Sequence, residues 1–351
     1  MVNITFMVGN GFDLNFGLKT SYKDFYETLK SNSKNRIISN ILNSKNETNN
    51  LWSDMEYGLG KVLSQYSKDE VDAFIDDKIE IADLLTTYLK NQCGLFQITD
   101  SEKVSSSLTN RILSIKDRLP QKNRDFYQQI VKNTSESIYY SFICFNYTDT
   151  LDSIIGTLKE NTNFSYHSFT SGVKISDYIV KPLHIHGELE KMMVLGVNDE
   201  FQIDNPDLQK NETIISDMVK SKANDGVGNY NTQEARTIIG NSRIIYVYGL
   251  SLGATDKMWA QELFQWLNGS ANRLLIIDIY EEKYNTNCTS TVLKWKNNAL
   301  NRIVKNTEID EDLFAKVRDR VCLVANTNIF KIDGISVVDG NLKKVRDLSL
   351  I

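Results

Sequence analysis

Apolar residues along the chain fall into two regimes. The first is a set of short continuous runs: VNITFMV at 2–8, YYSFICF at 139–145, VKPLHIHG at 180–187, MMVLGV at 192–197, SRIIYVYG at 242–249, RLLIIDIY at 273–280 and VCLVA at 321–325. They are rich in β-branched and aromatic residues and mostly lack alternation, which is how strands of a parallel sheet covered on both faces read. Between about 20 and 135 the apolar spacing is three and four instead. Leu51, Met55, Leu59, Val62, Leu63 and Tyr66 share one helix face, although Gly58 and Gly60 weaken it. Val71, Phe74, Ile75, Ile81, Leu85, Tyr88 and Leu89 share another, and Val104, Leu108, Ile112 and Ile115 a third. Residues 257–267, with Trp259, Leu263 and Trp266, read as a helix between two of the strand runs. The pattern predicts one α/β domain over 1–351, a parallel sheet flanked by helices, with a largely helical insertion at about 20–135. A second insertion or lid is expected at about 198–236, where the chain is polar and weakly patterned, and the last dozen residues read as a peripheral tail.

Composition narrows the class. With 351 residues, 41% apolar and 10% aromatic, the chain can bury a large core without staples. Cys93, Cys144, Cys288 and Cys322 are far apart, so no C-x-x-C pair or disulfide framework is predicted. No basic, apolar, small-residue leader and no bilayer-length apolar run is found, so the expectation is a cytoplasmic protein with no membrane partner. A net charge of -5 provides no general attraction to nucleic acid.

Candidate chemistry sits where strand runs end. GNGFDLNFGL at 9–18 follows the first run, with Gly9, Asn10, Gly11 and Asp13 at the carboxyl end of a strand. Glycines there let a pyrophosphate approach the backbone, but they also suit a plain strand-to-helix turn, and the spacing is not G-x-G-x-x-G. FNYTDT at 145–150 places Asn146 at a second strand end, with Thr148 or Asp149 as a helix cap. In LHIHGEL at 183–189, His184 and His186 alternate across a strand and are poorly placed to share a metal. With His167 the third and last histidine, no metal site is expected, and one of the pair is a candidate general base. IIYVYGLSLGATD at 244–256 presents Gly249 and Ser251 to a phosphate or ribose, or forms an ordinary glycine turn. Asp278, inside LLIIDIYE, needs a partner, either a ribose hydroxyl or a neighbouring basic side chain.

The order of these motifs resembles the sirtuin-like superfamily, in which a G-A-G-x-S…G-I-P loop, T-Q-N-x-D, H-G and G-T-S-L line one NAD pocket. Gly9, Gly11 and Gly17 match the first loop, Asn146 the asparagine, His186 and Gly187 the His-Gly pair, and Gly249, Ser251 and Leu252 the last turn. The resemblance is closer to the bacterial abortive-infection AbiH family, which carries GNGFDLxxGLxTSYxxF near its start. Here that stretch is GNGFDLNFGLKTSYKDF, with LWSDMEYGLG and HIHGEL following, and the likeness runs from residue 3 to about 280. The resemblance implies a sirtuin-like, Rossmann-type sheet, a role in phage defence, and NAD as substrate or ligand. It leaves room for a phage-derived trigger and a homo-oligomer. The paired C-x-x-C ribbon of sirtuins is missing, which disfavours protein deacylation.

On that basis the expected activity is NAD hydrolysis with release of nicotinamide. His186 would act as base and Asn146 would orient ribose and water, while Gly9, Asn10 and Gly11 cradle the pyrophosphate. Asp13 would lie near the ribose, Gly249 and Ser251 on the phosphate side, and Asp278 at the adenosine ribose. A non-catalytic nucleotide sensor is the alternative. A defence nuclease ranks third, since the chain is acidic and lacks a clustered carboxylate pattern.

Overall fold

The computed structural model describes residues 2–29, 34–43, 55–158, 164–189, 191–253, 256–282, 284 and 286–338. Its strands are β1 (Val2–Val8), β2 (Phe96–Ile98), β3 (Ile138–Cys144), β4 (Ser165–Ser168), β5 (Lys174–Ile179), β6 (Leu183–His184), β7 (Ser242–Tyr248), β8 (Leu274–Ile279), β9 (Val321–Ala325) and β10 (Ile335–Val337). Eight of them form one mixed, mainly parallel sheet in the order β4-β5-β3-β1-β7-β8-β9, with β6 also beside β3. β4 and β5 are its antiparallel pair, and β2 and β10 form a separate two-stranded ribbon.

The continuous apolar runs are explained by cover on both faces. Ile4, Phe6 and Val8 of β1 face helices Ser101–Leu113, Gln121–Lys132 and Thr150–Ile155, in one core with Tyr246 and Ile276. Met7, Val247 and Ile277 face the other way, onto helices Asn231–Asn241, Lys257–Asn268 and Thr289–Thr307. A third core lies apart from the sheet. Phe25, Phe74, Ile81 and Leu85 pack there with Leu195, Ile203, Ile214 and Met218, so segments on both sides of β3 share it. None of the described helices is long and apolar enough to cross a membrane.

Strand order places the site. The chain runs from β1 to β3 on one side and returns to β7 on the other, so the connections diverge between β1 and β7. Loops after those two strands meet at the sheet's carboxyl edge, where open α/β sheets hold ligands.

Several local expectations differ from the fold. Only Leu183–His184 of VKPLHIHG pairs as strand, because Pro182 has no N–H to donate and Gly187 turns the chain at φ +79°. MMVLGV forms no strand: its one ladder-type pairing is the isolated Val197–Val219 bridge, and its Val194 and Leu195 are buried. The β4–β5 hairpin has too little apolar content to be read from sequence. The helix expected over 51–66 is described as Met55–Val62 followed by a 3₁₀ turn, and its first four residues lie outside the described residues, as does the carboxyl-terminal tail.

Candidate functional site

The loops after β1 and β7 are pressed together, and that contact explains Gly9, Gly11 and Gly249. Gly9 N–H donates to Tyr248 O at 2.9 Å and Gly11 N–H to Gly249 O at 2.9 Å. A Cβ on Gly11 would sit 2.5 Å from Gly249 Cα, and one on Gly249, whose φ is +66°, would sit 2.7 Å from Phe12 N. No side chain fits between the two backbones. Gly17, at φ +85°, has nothing within 4 Å of a built Cβ, so it serves the turn after helix Gly11–Asn15.

Asn146 joins β3 to this knot. Its Nδ2 donates to Gly9 O at 3.2 Å, while its own carbonyl accepts from His184 Nδ1 at 2.8 Å. The other His184 nitrogen lies 2.7 Å from Asp152 Oδ2. Both nitrogens face acceptors, so a doubly protonated ring satisfies both. Burial works against that charge, but the Asp152 carboxylate and the Cys144 sulfur outweigh it and push His184 up to about 11. His184 therefore acts as a cationic peg that fixes the backbone of Asn146. A group raised in this way stabilises the fold fully below its unfolded value of 6.5, and the contribution is lost as pH rises toward 11. Urea unfolding of the parent should lose stability steadily from pH 6.5 to 9.5, and Asp152→Asn should flatten that slope. An unchanged slope would show that the peg is not charged.

Asp13 is the most perturbed carboxylate of the site. Helix Gly11–Asn15 turns it inward to 1% exposure, where Thr148 Oγ1 donates to its Oδ2 at 2.6 Å. Its Oδ1 has no hydrogen-bond partner among the described residues. Burial raises its pKa to about 6, and the negative charge of Asp149 adds to that. Thr148, Thr150 and Asn146 beside the carboxylate lower it only in part. Asp149 occupies the N-cap position of helix Thr150–Ile155 without a side-chain cap bond, and Thr148 is committed to Asp13.

His186 is on the same edge. Its ring meets Phe145 edge-on at 5.7 Å between centroids and lies 6.5 Å from the Tyr147 ring. Burial, followed by the nearby Lys220 charge, holds it well below its ordinary value despite a hydrogen bond to the Phe145 backbone. It is a neutral imidazole at neutral pH. A Cβ on Gly187 would lie 1.4 Å from Met192 O, so the His-Gly pair is dictated by the chain crossing behind it.

Glu56, Tyr147 and Lys220, which sequence reading did not single out, complete this wall. Lys220 Nζ lies 2.6 Å from Glu56 Oε2, with both side chains about nine-tenths buried. The Tyr147 hydroxyl lies 3.3 Å from Glu56 Oε1 and 3.1 Å from Val194 O. Glu56 sits inside LWSDMEYGLG, so a motif did mark it, whereas Lys220 lies in a polar stretch without a signal.

Gly9, Gly11, Gly249, Asn146 and Asp13 thus adjoin one another, with His186 next to Phe145 and Tyr147 on either side of Asn146. The remaining sequence candidates are engaged elsewhere. Asn10 exchanges two hydrogen bonds with Thr20, at 2.5 and 3.2 Å. The Ser251 hydroxyl donates to Asp256 at 3.1 Å. Asp278 accepts from Tyr246 at 2.9 Å and from the Thr327 hydroxyl, at the end of β8 and facing the opposite core from His186. The Thr327 backbone N–H adds a longer contact to its other oxygen at 3.4 Å, and the Arg118 charge acts on it from a distance, so hydrogen-bond donors of the fold itself occupy it.

A family model described as "Bacteriophage abortive infection AbiH" matches residues 5–278. The search of curated proteins finds no match.

Proposed function

The chain belongs to the bacteriophage abortive infection AbiH family, and from that premise we propose that its anti-phage action is the hydrolysis of NAD at the carboxyl edge of β1, β3, β6 and β7. The order of the strand-end motifs GNGFD, FNYTD, HIHG and YGLS supports a sirtuin-like arrangement of this edge in the same reading. The observation that carries it is Asp13: a buried carboxylate near pKa 6, with one oxygen lacking a partner among the described residues, beside the glycine knot and Asn146. Groups perturbed in this manner concentrate at sites that bind and turn over ligands.

In this reading the loops over Asp13, which is 1% exposed in the closed fold, part on ligand entry, and its Oδ1 then accepts a ribose hydroxyl and holds the sugar. Cleavage of the bond between ribose C1′ and the nicotinamide nitrogen sends its electron pair to the ring, which departs neutral. The oxocarbenium-like transition state is an anion-seeking centre, and the nearby carboxylate stabilises it. Asn146 orients the attacking water and the neutral His186 takes its proton, giving ADP-ribose, nicotinamide and one proton. Phe145 and Tyr147 keep the base dry. His184 acts at one remove, through the carbonyl of Asn146.

Purified parent protein should release nicotinamide and ADP-ribose in equal amounts, and His186→Ala or Asn146→Ala should slow release by about 10²-fold or more. Equal rates in parent and both variants would remove the assignment. Retained dinucleotide without turnover would select a nucleotide sensor instead.

A further inference from the structure

A second chemical feature lies away from this edge. Helix Val71–Cys93, the stretch at 192–195 and helices Glu212–Met218 and Lys220–Gly226 line an open cavity of about 700 Å³. That is the size of a small-molecule site. Its walls are largely apolar, with Ala82, Met193 and Val194 inside, while Ile79, Met192 and Val227 stand 54%, 52% and 49% exposed at its mouth. Large exposed apolar side chains gathered at one opening mark a surface that binds something.

Lys78 supplies the polar anchor. It is 8% exposed, lines the cavity, and donates to Asp217 O at 2.8 Å and Asp217 Oδ2 at 2.7 Å. An ammonium has three protons, and the third has no acceptor among the described residues. Burial lowers its pKa, as fits a cation short of solvent. Asp217 neutralises it, and Glu212 on the same wall adds a negative charge, so an anionic ligand is repelled. The complement is a neutral amphiphile: an apolar body over the methionines, a carbonyl on Lys78, and an N–H directed at Asp217 or Ser216.

The far side of the cavity wall is tied to the first site. Val194 N–H donates to His186 O at 2.9 Å, and Val194 O accepts from the Tyr147 hydroxyl at 3.1 Å. We propose that the cavity binds a small neutral amide-bearing amphiphile and that its occupancy is transmitted to His186 through Met193–Val194. This holds whichever substrate His186 serves.

The test uses full-length protein labelled at methionine methyls and histidine rings, titrated with octanamide, a neutral primary amide with an eight-carbon chain. With only three histidines in the chain, ring signals are readily assigned. Saturable shifts of Met192, Met193 and His186, with Met7 and Met258 unmoved, are expected. Ala82→Phe, which fills the cavity, should abolish them, and octanoate should bind at least tenfold more weakly than octanamide. Absence of a saturable methionine shift overturns the site, and methionine shifts with His186 unmoved overturn the coupling. Self-association that shields the same methionines while octanamide is inert overturns it as well, since the cavity would then be an interface between copies.

Discussion

Asp13→Asn should make the protein more stable and less active at once. The folded carboxylate titrates near 6 against 3.8 when unfolded, so the folded state binds the proton more tightly. Stability therefore falls as pH rises from about 4 to 6, and above that range the buried charge costs the full difference. A shift of that size corresponds to about 3 kcal/mol; a neutral amide avoids it but leaves its own N–H₂ without an acceptor at the Oδ1 position, which takes back about 1 kcal/mol or more. Asn can still accept from Thr148 through its carbonyl, so the one hydrogen bond in place is preserved. Urea unfolding at pH 7.5 should show the net gain, and at pH 4, where the parent carboxyl is protonated, the gain should vanish. NAD turnover should fall by about 10²-fold, because the amide cannot stabilise positive charge as a carboxylate does. A destabilised variant would mean that Asp13 is ionised at no cost, and that the fold rather than a ligand accounts for its burial.

Lys220→Met should be the most damaging change away from the sheet. It withdraws the cation 2.6 Å from Glu56, where both side chains are about nine-tenths buried. Leaving one member of a buried pair costs about 3 to 5 kcal/mol, far beyond an exposed pair. The pair joins helix Met55–Val62 to helix Lys220–Gly226, so the loss should loosen the shared third core. The double variant Glu56→Leu with Lys220→Met removes both charges and should recover most of the loss. Denaturant midpoints of the two single variants and the double variant close the cycle. Additive effects would show that the two charges do not interact.

These two residues also mark how far the sequence was legible. β1, β3, β7, β8 and β9 could be read directly, because strands buried on both faces leave unbroken apolar runs such as SRIIYVY. The long helices were legible for the matching reason, each burying one stripe, as Phe74, Ile81, Leu85 and Leu89 do. Pairings that depend on backbone contacts were not: Gly196, where a Cβ would lie 2.0 Å from Met218 O, gives no hint of its neighbour in MMVLGV. At the site, position along a strand end was legible but partnership was not. Nothing in GNGFDLNFGL tells that Gly11 is packed on Gly249, that Asn10 is occupied by Thr20, or that Asp13 is the buried member. A Lys–Glu pair separated by 164 positions looks like two surface charges until the chain is folded.

If abortive infection by this chain is NAD loss at the Asp13–Asn146–His186 edge, infected cells must lose NAD only while that edge is intact. Cellular NAD and nicotinamide should be followed through phage infection in cells carrying the parent, Asp13→Asn or His186→Ala, with equal protein levels. The parent should lose NAD and accumulate nicotinamide after infection, while both variants hold NAD constant and lose protection. Protection by the parent with NAD unchanged, or an equal NAD loss in all three, would contradict it.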